Sequence, residues 1–232
     1  MARAPSRAQR LGAEWLGTAL LLAVVVGSGI MGDRLAGGNV ALALLANTLA
    51  TGAGLVALIL TFGPISGAHF NPAVTFVEGL RGRARWTDVT GYVVAQVTGA
   101  VVGVVAAHIM FQEPAWLQAS THVRAGAAQV FSEAVATFGL LSVILSCSRA
   151  RPDAVPMAVG LYITSAYWFT ASTSFANPAV TIARAFTPTF AGIRPADAPA
   201  FIVAQFIGAG AALVVYRCLH PDAESSAMEE TP

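Results

Sequence analysis

Long apolar stretches, separated by short polar ones, make up most of this chain. Six of them approach or exceed the ~20 apolar residues that a membrane-spanning helix needs. They cover residues 11–32, 40–63, 89–110, 126–147, 155–171 and 198–219, of which the fifth is the shortest. We therefore predict an all-α integral membrane protein with six transmembrane helices.

Three phrases occur twice, in the same order, once in each half of the chain. Residues 13–18 (AEWLGT) resemble 132–137 (SEAVAT), residues 71–75 (NPAVT) return at 177–181, and residues 94–99 (VAQVTG) resemble 203–208 (VAQFIG). The chain is thus a duplicated three-span unit. An odd number of spans per unit predicts that the second unit is inverted relative to the first, about a pseudo-two-fold axis in the membrane plane.

The repeated NPAVT phrase follows the second span of each unit. Proline suits the first turn of a helix and asparagine suits the cap before it, so we predict short helices over 73–80 and 179–186. At ~1.5 Å per residue, ~10 residues cover ~15 Å, half of a ~30 Å hydrocarbon core. Two re-entrant half-helices are therefore expected to meet at the membrane centre. The residues expected there are Asn71, Pro72, Ala73, Asn177, Pro178 and Ala179.

This centre is expected to admit neutral molecules and to repel cations. Irregular backbone at membrane depth, predicted here over 63–70 and 172–176, is tolerated only where it is buried or lines an aqueous cavity. Each helix N-terminus carries roughly half a positive charge, and both Asn side chains can donate hydrogen bonds. An electrostatic barrier of this kind conducts water without protons.

Three ionisable residues lie near the predicted centre. Glu14 and Glu133 occupy equivalent positions inside the first and fourth spans, where a charge costs ~2.5–3.5 kcal/mol. Each is either a support that accepts hydrogen bonds from a broken loop or part of a proton relay or cation site. His69, in the first broken loop, is either a fixed, hydrogen-bonded residue or a pore-lining group that gates by protonation.

Composition and charge agree with a membrane location. Hydrophobic residues make up 56% of the chain and charged ones 11%, too few charges to cover a water-facing surface. All basic residues are arginines, and only Arg34, Arg124, Arg184 and Arg194 fall on one side of the predicted topology, against nine on the other. The positive-inside rule then puts both termini in the cytoplasm, with the chain in the plasma (inner) membrane. The net charge of +1 gives no reason to expect a nucleic-acid partner.

No catalytic or cofactor motif is found in the sequence. It contains no nucleophile with a matching base, no cluster with metal-ligand spacing and no phosphate loop, so we expect neither an enzyme nor a bound metal or cofactor. Inverted repeats with broken helices also build secondary transporters. That alternative requires a coupling-ion site, and only the two glutamates lie deep in a span.

The six spans, the two glutamates, the phrase SGAHFNPAVT at 66–75 and the second Asn-Pro-Ala together resemble the aquaporin family, also called major intrinsic proteins. The resemblance covers residues 11–219. It implies a channel domain over 10–220, with repeats at about 10–110 and 124–219, between cytoplasmic tails at 1–9 and 221–232. It also implies a homotetramer in which each subunit has its own pore for water or small neutral solutes.

The resemblance further implies a narrow filter of four residues. By position relative to the two motifs, three of them are Thr51, Ser174 and Val180. Anchoring on a Gly-Leu pair in the fifth span makes Tyr167 the fourth, which we prefer, whereas counting back from the second motif gives Ser165.

The sequence departs from the family pattern at Val180, where family members usually have arginine. A filter without that fixed charge is expected to be wider and less strictly selective for water. Arg184 lies four residues later, about 40° around the helix and ~6 Å nearer the outer mouth. It is either a partial replacement for the missing arginine, in the vestibule, or an interface anchor that snorkels to the membrane surface.

The phrase TSFANPAVTIARAFT at 173–187 resembles a bacterial aquaglyceroporin-like subgroup associated with arsenic-resistance operons. This resemblance implies passage of glycerol and of neutral metalloid hydroxides such as arsenous acid (arsenite), or of methylated arsenicals. A strict water channel remains the other possibility.

Overall fold

The computed structural model describes residues 4–221, and its regular elements there are all helical. Eight α-helices follow one another along the described chain. They are α1 (Arg7–Leu35), α2 (Val40–Ser66), α3 (Pro72–Leu80), α4 (Trp86–Phe111), α5 (Ala127–Ala150), α6 (Val155–Phe169), α7 (Pro178–Arg184) and α8 (Ala198–Leu219), with a 3₁₀ turn at Pro152–Ala154 before α6. The long helices α1, α2 and α4, with the short α3, form the first half, and α5, α6 and α8, with the short α7, form the second.

The two halves pack in the same way. In the first half α1 contacts α2 and α4, and in the second half α5 contacts α6 and α8. The halves are joined by α2 against α6, and also by the short helices, because α3 packs on α8 and α7 packs on α4. The two half-helices therefore lie between the halves.

Close helix crossings are repeated at equivalent glycines. A Cβ atom on Gly99 of α4 would lie 2.2 Å from the carbonyl oxygen of Trp15, and one on Gly208 of α8 would lie 2.2 Å from that of Ala134. No side chain larger than hydrogen fits at either crossing. Small residues at such crossings let the helices of membrane proteins approach closely.

Each predicted span has its helix, but several boundaries differ from the prediction. Helix α1 begins at Arg7, inside the predicted tail, because Ser6 and Gln9 form a reciprocal capping box. Helix α2 continues past Pro64 to Ser66 and ends at Gly67, whose φ of 87° makes a left-handed cap. The irregular backbone predicted from residue 63 therefore starts four residues later. Residues 1–3 and 222–232, in the predicted tails, lie outside the described residues.

Within the described residues, five helices are long and apolar enough to cross a membrane: α1, α2, α4, α5 and α8. Helix α6 has 15 residues, or ~22 Å, and ends two residues before the predicted end of the fifth span. A 3₁₀ turn precedes α6 and irregular backbone follows it. The shortest predicted span is therefore also the shortest of the six long helices.

Candidate functional site

The half-helices α3 and α7 meet at their N-termini, and each is capped by the predicted asparagine. The Asn71 side-chain oxygen accepts a hydrogen bond from the Ala73 backbone N–H (2.9 Å), and that of Asn177 accepts from Ala179 (2.9 Å) and Val180 (3.3 Å). Both asparagines are buried. The caps leave the side-chain NH₂ groups pointing away from their own helices.

Those NH₂ groups connect the two halves. Asn71 Nδ2 donates to the carbonyl oxygen of Ala176 (2.7 Å), and Asn177 Nδ2 donates to that of Phe70 (2.8 Å). Each asparagine therefore holds the last residue of the loop in the opposite half. One N–H of each amide remains for a molecule at the centre.

The loops before the two asparagines share an unusual backbone. Ala68 and Phe70 in the first loop, and Ser174 and Ala176 at the equivalent positions of the second, have φ values between 47° and 50°. Such left-handed residues cost ~1–3 kcal/mol each when they are not glycine, and persist only where surrounding contacts enforce them.

Glu14 supplies the enforcing contacts in the first half. Its carboxylate accepts hydrogen bonds from the backbone N–H groups of His69 (2.9 Å) and Phe70 (2.8 Å), from Ser66 Oγ (2.7 Å) and from Gln96 Nε2 (2.7 Å). The side chain is fully buried. Four donors occupy the carboxylate, which leaves little capacity for a travelling proton or a cation.

Glu133 repeats the arrangement in the second half. It accepts from the backbone N–H groups of Phe175 (2.8 Å) and Ala176 (2.9 Å), from Ser172 Oγ (2.6 Å) and from Gln205 Nε2 (2.6 Å). Of the two roles left open by the sequence, the geometry of both glutamates favours support of the loops.

A cavity of about 210 Å³ runs past this centre between the C-terminal ends of α3 and α7. Both asparagines line it, and so do four of the five filter candidates: Thr51, Tyr167, Ser174 and Val180. The fifth candidate, Ser165, is exposed on the outside of α6. The Tyr167 hydroxyl donates to Thr51 Oγ1 across the cavity (3.4 Å), so these two side chains from opposite halves meet.

Polar donors in this part of the cavity are incompletely paired. Ser174 Oγ is buried and has no hydrogen-bond partner among the described residues. Thr51 Oγ1 accepts from Tyr167, and its own proton remains available. Much of the remaining cavity wall is apolar and is formed by the side chains of Leu21, Val25, Leu55, Val74, Leu140 and Ile163.

His69 also lines the cavity, and its ring is held in place. Nδ1 lies 3.0 Å from Thr75 Oγ1, and the ring packs edge-on to Tyr92 at 5.3 Å between centroids. These contacts are those of a fixed loop histidine.

Arg184 lies in the cavity rather than at the lipid surface. Its side chain is 2% exposed and lines the cavity. Its Nε donates to the Ala191 carbonyl, and its Cζ stacks 3.4 Å from the centroid of the Phe175 ring. Within residues 4–221 this guanidinium makes no other hydrogen bond, so its two terminal NH₂ groups have no protein acceptor.

A second arginine, which the sequence did not single out, lies on the same ring. Arg124 is 7% exposed, and its Cζ lies 5.1 Å from the Phe175 centroid. Its guanidinium donates to the backbone carbonyls of Gly192 (2.8 Å), Ser172 (3.3 Å) and Phe190 (3.5 Å). Burial lowers the pKa of Arg124 below its usual value, yet no carboxylate from the described part of the chain, residues 4–221, pairs with the guanidinium. The only sequence signal is that Phe175 replaces His69 at the equivalent repeat position.

The loop around Arg124 carries further charged groups. Asp197 accepts from the Arg124 backbone N–H (2.9 Å) and pairs with Arg194 (2.7 Å). The Arg194 hydrogen bond lowers the pKa of the Asp197 carboxyl. Burial, and then the charges of Arg124 and Arg184, lower the pKa of His122, so its imidazole is neutral at pH 7.

The opposite end of the cavity has different chemistry. Glu78, at the C-terminal end of α3, pairs with Arg81 at 2.6 Å, and Arg81 in turn lies 5.4 Å over the Tyr216 ring. Glu78 and Arg83 line the cavity there. This mouth therefore contains an acid paired with a base, with Arg83 nearby, whereas the other contains two arginines around a phenyl ring. No group of three or more potential metal ligands occurs within residues 4–221.

Comparisons with known proteins agree with one another. A family model described as "Major intrinsic protein" matches residues 1–170. The chain is 55% identical over 224 residues to the aquaglyceroporin AqpS of Rhizobium meliloti (strain 1021), covering 97% of this chain and 95% of that one. It is 31% identical over 221 residues to the probable aquaporin TIP2-2 of Oryza sativa subsp. japonica, covering 90% and 86%. The X-ray structure of the aquaglyceroporin from Plasmodium falciparum superposes with a TM-score of 0.73 over 97% of this chain and all of that one, at 20% identity, and shares the fold.

Proposed function

The chain belongs to the major intrinsic protein family, and on that premise we propose that its central cavity conducts water, glycerol and arsenous acid through a filter widened by Val180. The protein is a multi-pass membrane channel for water and small solutes, and is not an enzyme. The observation that carries the proposal is that Thr51, Tyr167, Ser174 and Val180 all line the cavity, across which Tyr167 and Thr51 meet.

Exclusion of protons and cations is assigned to the two helix N-termini. Each contributes roughly half a positive charge, and the amides of Asn71 and Asn177 present donors at the same place. A cation arriving there meets positive potential and few acceptors, whereas the lone pairs of a neutral hydroxyl accept from both amides. Passage in single file past these donors requires no coupling ion.

The secondary-transporter alternative has less support. It needs a carboxylate that can release and rebind a cation. Glu14 and Glu133 each already accept four hydrogen bonds from the protein. Flux that saturates and collapses with a proton or sodium gradient would favour a transporter instead.

Selection among neutral solutes is assigned to the filter. Val180 replaces a charged, hydrogen-bonding side chain by a small apolar one, which leaves room for a three-carbon polyol or a metalloid trihydroxide. The hydroxyls of Thr51 and Ser174 offer donors to such solutes, and we assign Arg184 the part of a vestibule residue that guides them. If Arg184→Ala changes neither conductance nor solute preference, Arg184 has no such part.

We assign the assembly and orientation as follows. The subunits form a homotetramer in the inner (plasma) membrane, with both termini in the cytoplasm, so that the Glu78 end of the cavity faces the cytoplasm and the Arg184 end faces outward. Residues 10–220 form the channel domain, and the tails are 1–9, of which 7–9 continue α1, and 221–232. The surplus of arginines on one side supports this orientation.

Stopped-flow permeability of proteoliposomes tests the proposal. Wild type is expected to pass water, glycerol and arsenous acid. Val180→Arg is expected to lower glycerol and arsenous acid permeability at least tenfold, and water permeability less, because it restores a charged, bulkier filter. Val180→Leu adds bulk without charge and serves as the matched control. A wild-type pore that passes water but excludes both solutes would refute the widened filter.

A further inference from the structure

We propose that the mouth around Phe175 is a binding site for one small monovalent inorganic anion, such as chloride, held by the terminal NH₂ groups of Arg184. This site lies beyond the conduction of neutral solutes, and it does not depend on which solute passes.

The first argument is the unpaired guanidinium. Arg184 is 2% exposed, lines the cavity and makes one hydrogen bond within residues 4–221, from Nε to the Ala191 carbonyl. Buried charges are normally paired or bound to a ligand, because an unpaired one is costly. The two terminal NH₂ groups have no acceptor within residues 4–221 and are open to the cavity, so their acceptor must come from a molecule in the cavity.

The second argument is the local charge. The charged groups that act on Arg184 are Arg124, which repels it, and Glu133, which attracts it. Both guanidinium carbons lie close to the Phe175 centroid, at 3.4 Å and 5.1 Å, so they can be no farther apart than the sum of these distances. Asp197 is occupied by Arg194. Two positive charges against one negative charge leave a single positive charge, which one monovalent anion neutralises.

The third argument is the type of group that faces the cavity. Besides Arg184, Ser174 Oγ has no partner in the described part of the chain and Thr51 has a free proton. Donors without matching acceptors favour an anion or the lone pairs of an oxygen. The end of α7 and the Ala191 carbonyl are dipoles and do not cancel a full charge.

The anion is held rather than conducted. Toward the centre, the wall is lined by Leu21, Val25, Leu55 and Ile163, among other apolar residues. An anion that moved inward would lose the Arg184 donors and be desolvated among apolar side chains before it reached the amides of Asn71 and Asn177, which disfavours a bare charge. An anion that stays at the mouth narrows the entrance and occupies the Arg184 donors that otherwise guide neutral solutes, so its occupancy should lower the permeability to those solutes.

Direct binding is tested by anomalous diffraction from crystals of the purified full chain grown in sodium bromide. A bromide peak within hydrogen-bond distance of the Arg184 terminal nitrogens is expected. It should persist in Arg184→Lys, which keeps the charge, and disappear in Arg184→Gln, which removes it. The exposed Arg34→Gln, which lies outside the site, is the matched control and should keep the peak. No peak at Arg184 in the wild type, or a peak that survives Arg184→Gln, overturns the proposal.

The consequence for flux is tested in the same proteoliposomes at equal osmolarity. Wild-type glycerol permeability is expected to be at least twofold lower in sodium chloride or bromide than in sodium gluconate, and equal in both for Arg184→Gln. An identical wild-type permeability in all three salts contradicts a blocking anion. Permeability in gluconate measures channel function on its own, so a failed anion site and a failed channel give different results. If Arg184→Gln does not fold, the bromide peak and the salt series on wild type still decide the question.

Discussion

Glu78 and Arg184 stand at the same position of the two half-helices, seven residues after Asn71 and Asn177, and carry opposite charges. Glu78 is neutralised by Arg81, whereas Arg184 contacts, among the described residues, only a backbone carbonyl and the Phe175 ring. Between these ends the halves match closely in their asparagine caps and their buried glutamates. The common features build the central barrier and the fold, and the differences give the two mouths separate chemistry.

The strongest test of this comparison replaces the glutamates that support the loops. In Glu14→Gln and Glu133→Gln an amide nitrogen would face backbone donors, and the charged acceptor is lost. Charge-assisted hydrogen bonds contribute ~1.5–3 kcal/mol each, and unsatisfied buried donors cost ~1–3 kcal/mol, so we expect losses above ~3 kcal/mol in both variants. The midpoint temperature of thermal unfolding in detergent should fall by ~6–12 °C. Glu78→Gln, the same change beside a partly exposed pair, is the control. A loss of stability in only one of these two glutamate variants would show that the two supports are not equivalent.

A smaller but equally symmetric effect is expected at the helix crossings. Gly99→Ala and Gly208→Ala each place a Cβ atom 2.2 Å from a carbonyl oxygen of the facing helix, which forces the helices apart at ~1–3 kcal/mol. The thermal unfolding midpoints of both variants should fall by ~2–12 °C. Gly210→Ala is the control: Gly210 lies on α8 like Gly208, and the added Cβ atom would have nothing within 4 Å. This variant should not be destabilised. A large loss for Gly210→Ala would point to an effect of helix composition rather than of the crossing.

The smallest expected effect lies in the second half alone. Because the pKa of the Asp197 carboxyl is lowered, mainly by Arg194, its contribution to stability is present above the unfolded value of ~3.9 and is lost as pH falls through the folded value. The pair is exposed on the Arg194 side, so solvent screening keeps its contribution to stability small. Unfolding midpoints of wild type and Asp197→Asn should differ at pH 7 and converge below about pH 4. A difference that does not change with pH would exclude the ion pair as its source.

The central features of the fold were readable from the sequence because each rests on local chemistry. Apolar length predicts a span, proline after asparagine predicts a capped helix start, and an odd number of spans predicts inversion. The equivalence of Glu14 and Glu133 came from the same repeat. These signals need only neighbouring residues, or residues at matching positions in the two halves.

The mouth could not be predicted in the same way. Arg124 lies far from Phe175 in sequence and reaches it only because the 112–126 segment folds inward, and no local pattern marks an arginine that turns toward a ring. Helix geometry placed Arg184 nearer the outer mouth than Val180. It could not show whether Arg184 faces lipid or the cavity, because that depends on the distant segment that supplies the Ala191 carbonyl. The start of α1 was also missed, because the capping box at Ser6 lies in a polar stretch that reads as a tail.

The exchange of hydrogen bonds between the two asparagines and the opposite loops also has a consequence for biogenesis. The Phe70 carbonyl accepts from Asn177, 107 positions later in the chain, and Asn71 donates to Ala176, 105 positions later. At a synthesis rate of ~5–20 residues per second, the first half therefore waits about 5–20 s for its partner groups. During that interval the nascent loop must be hydrated or shielded by the insertion machinery, and it reaches its final form only after Asn177 has been translated.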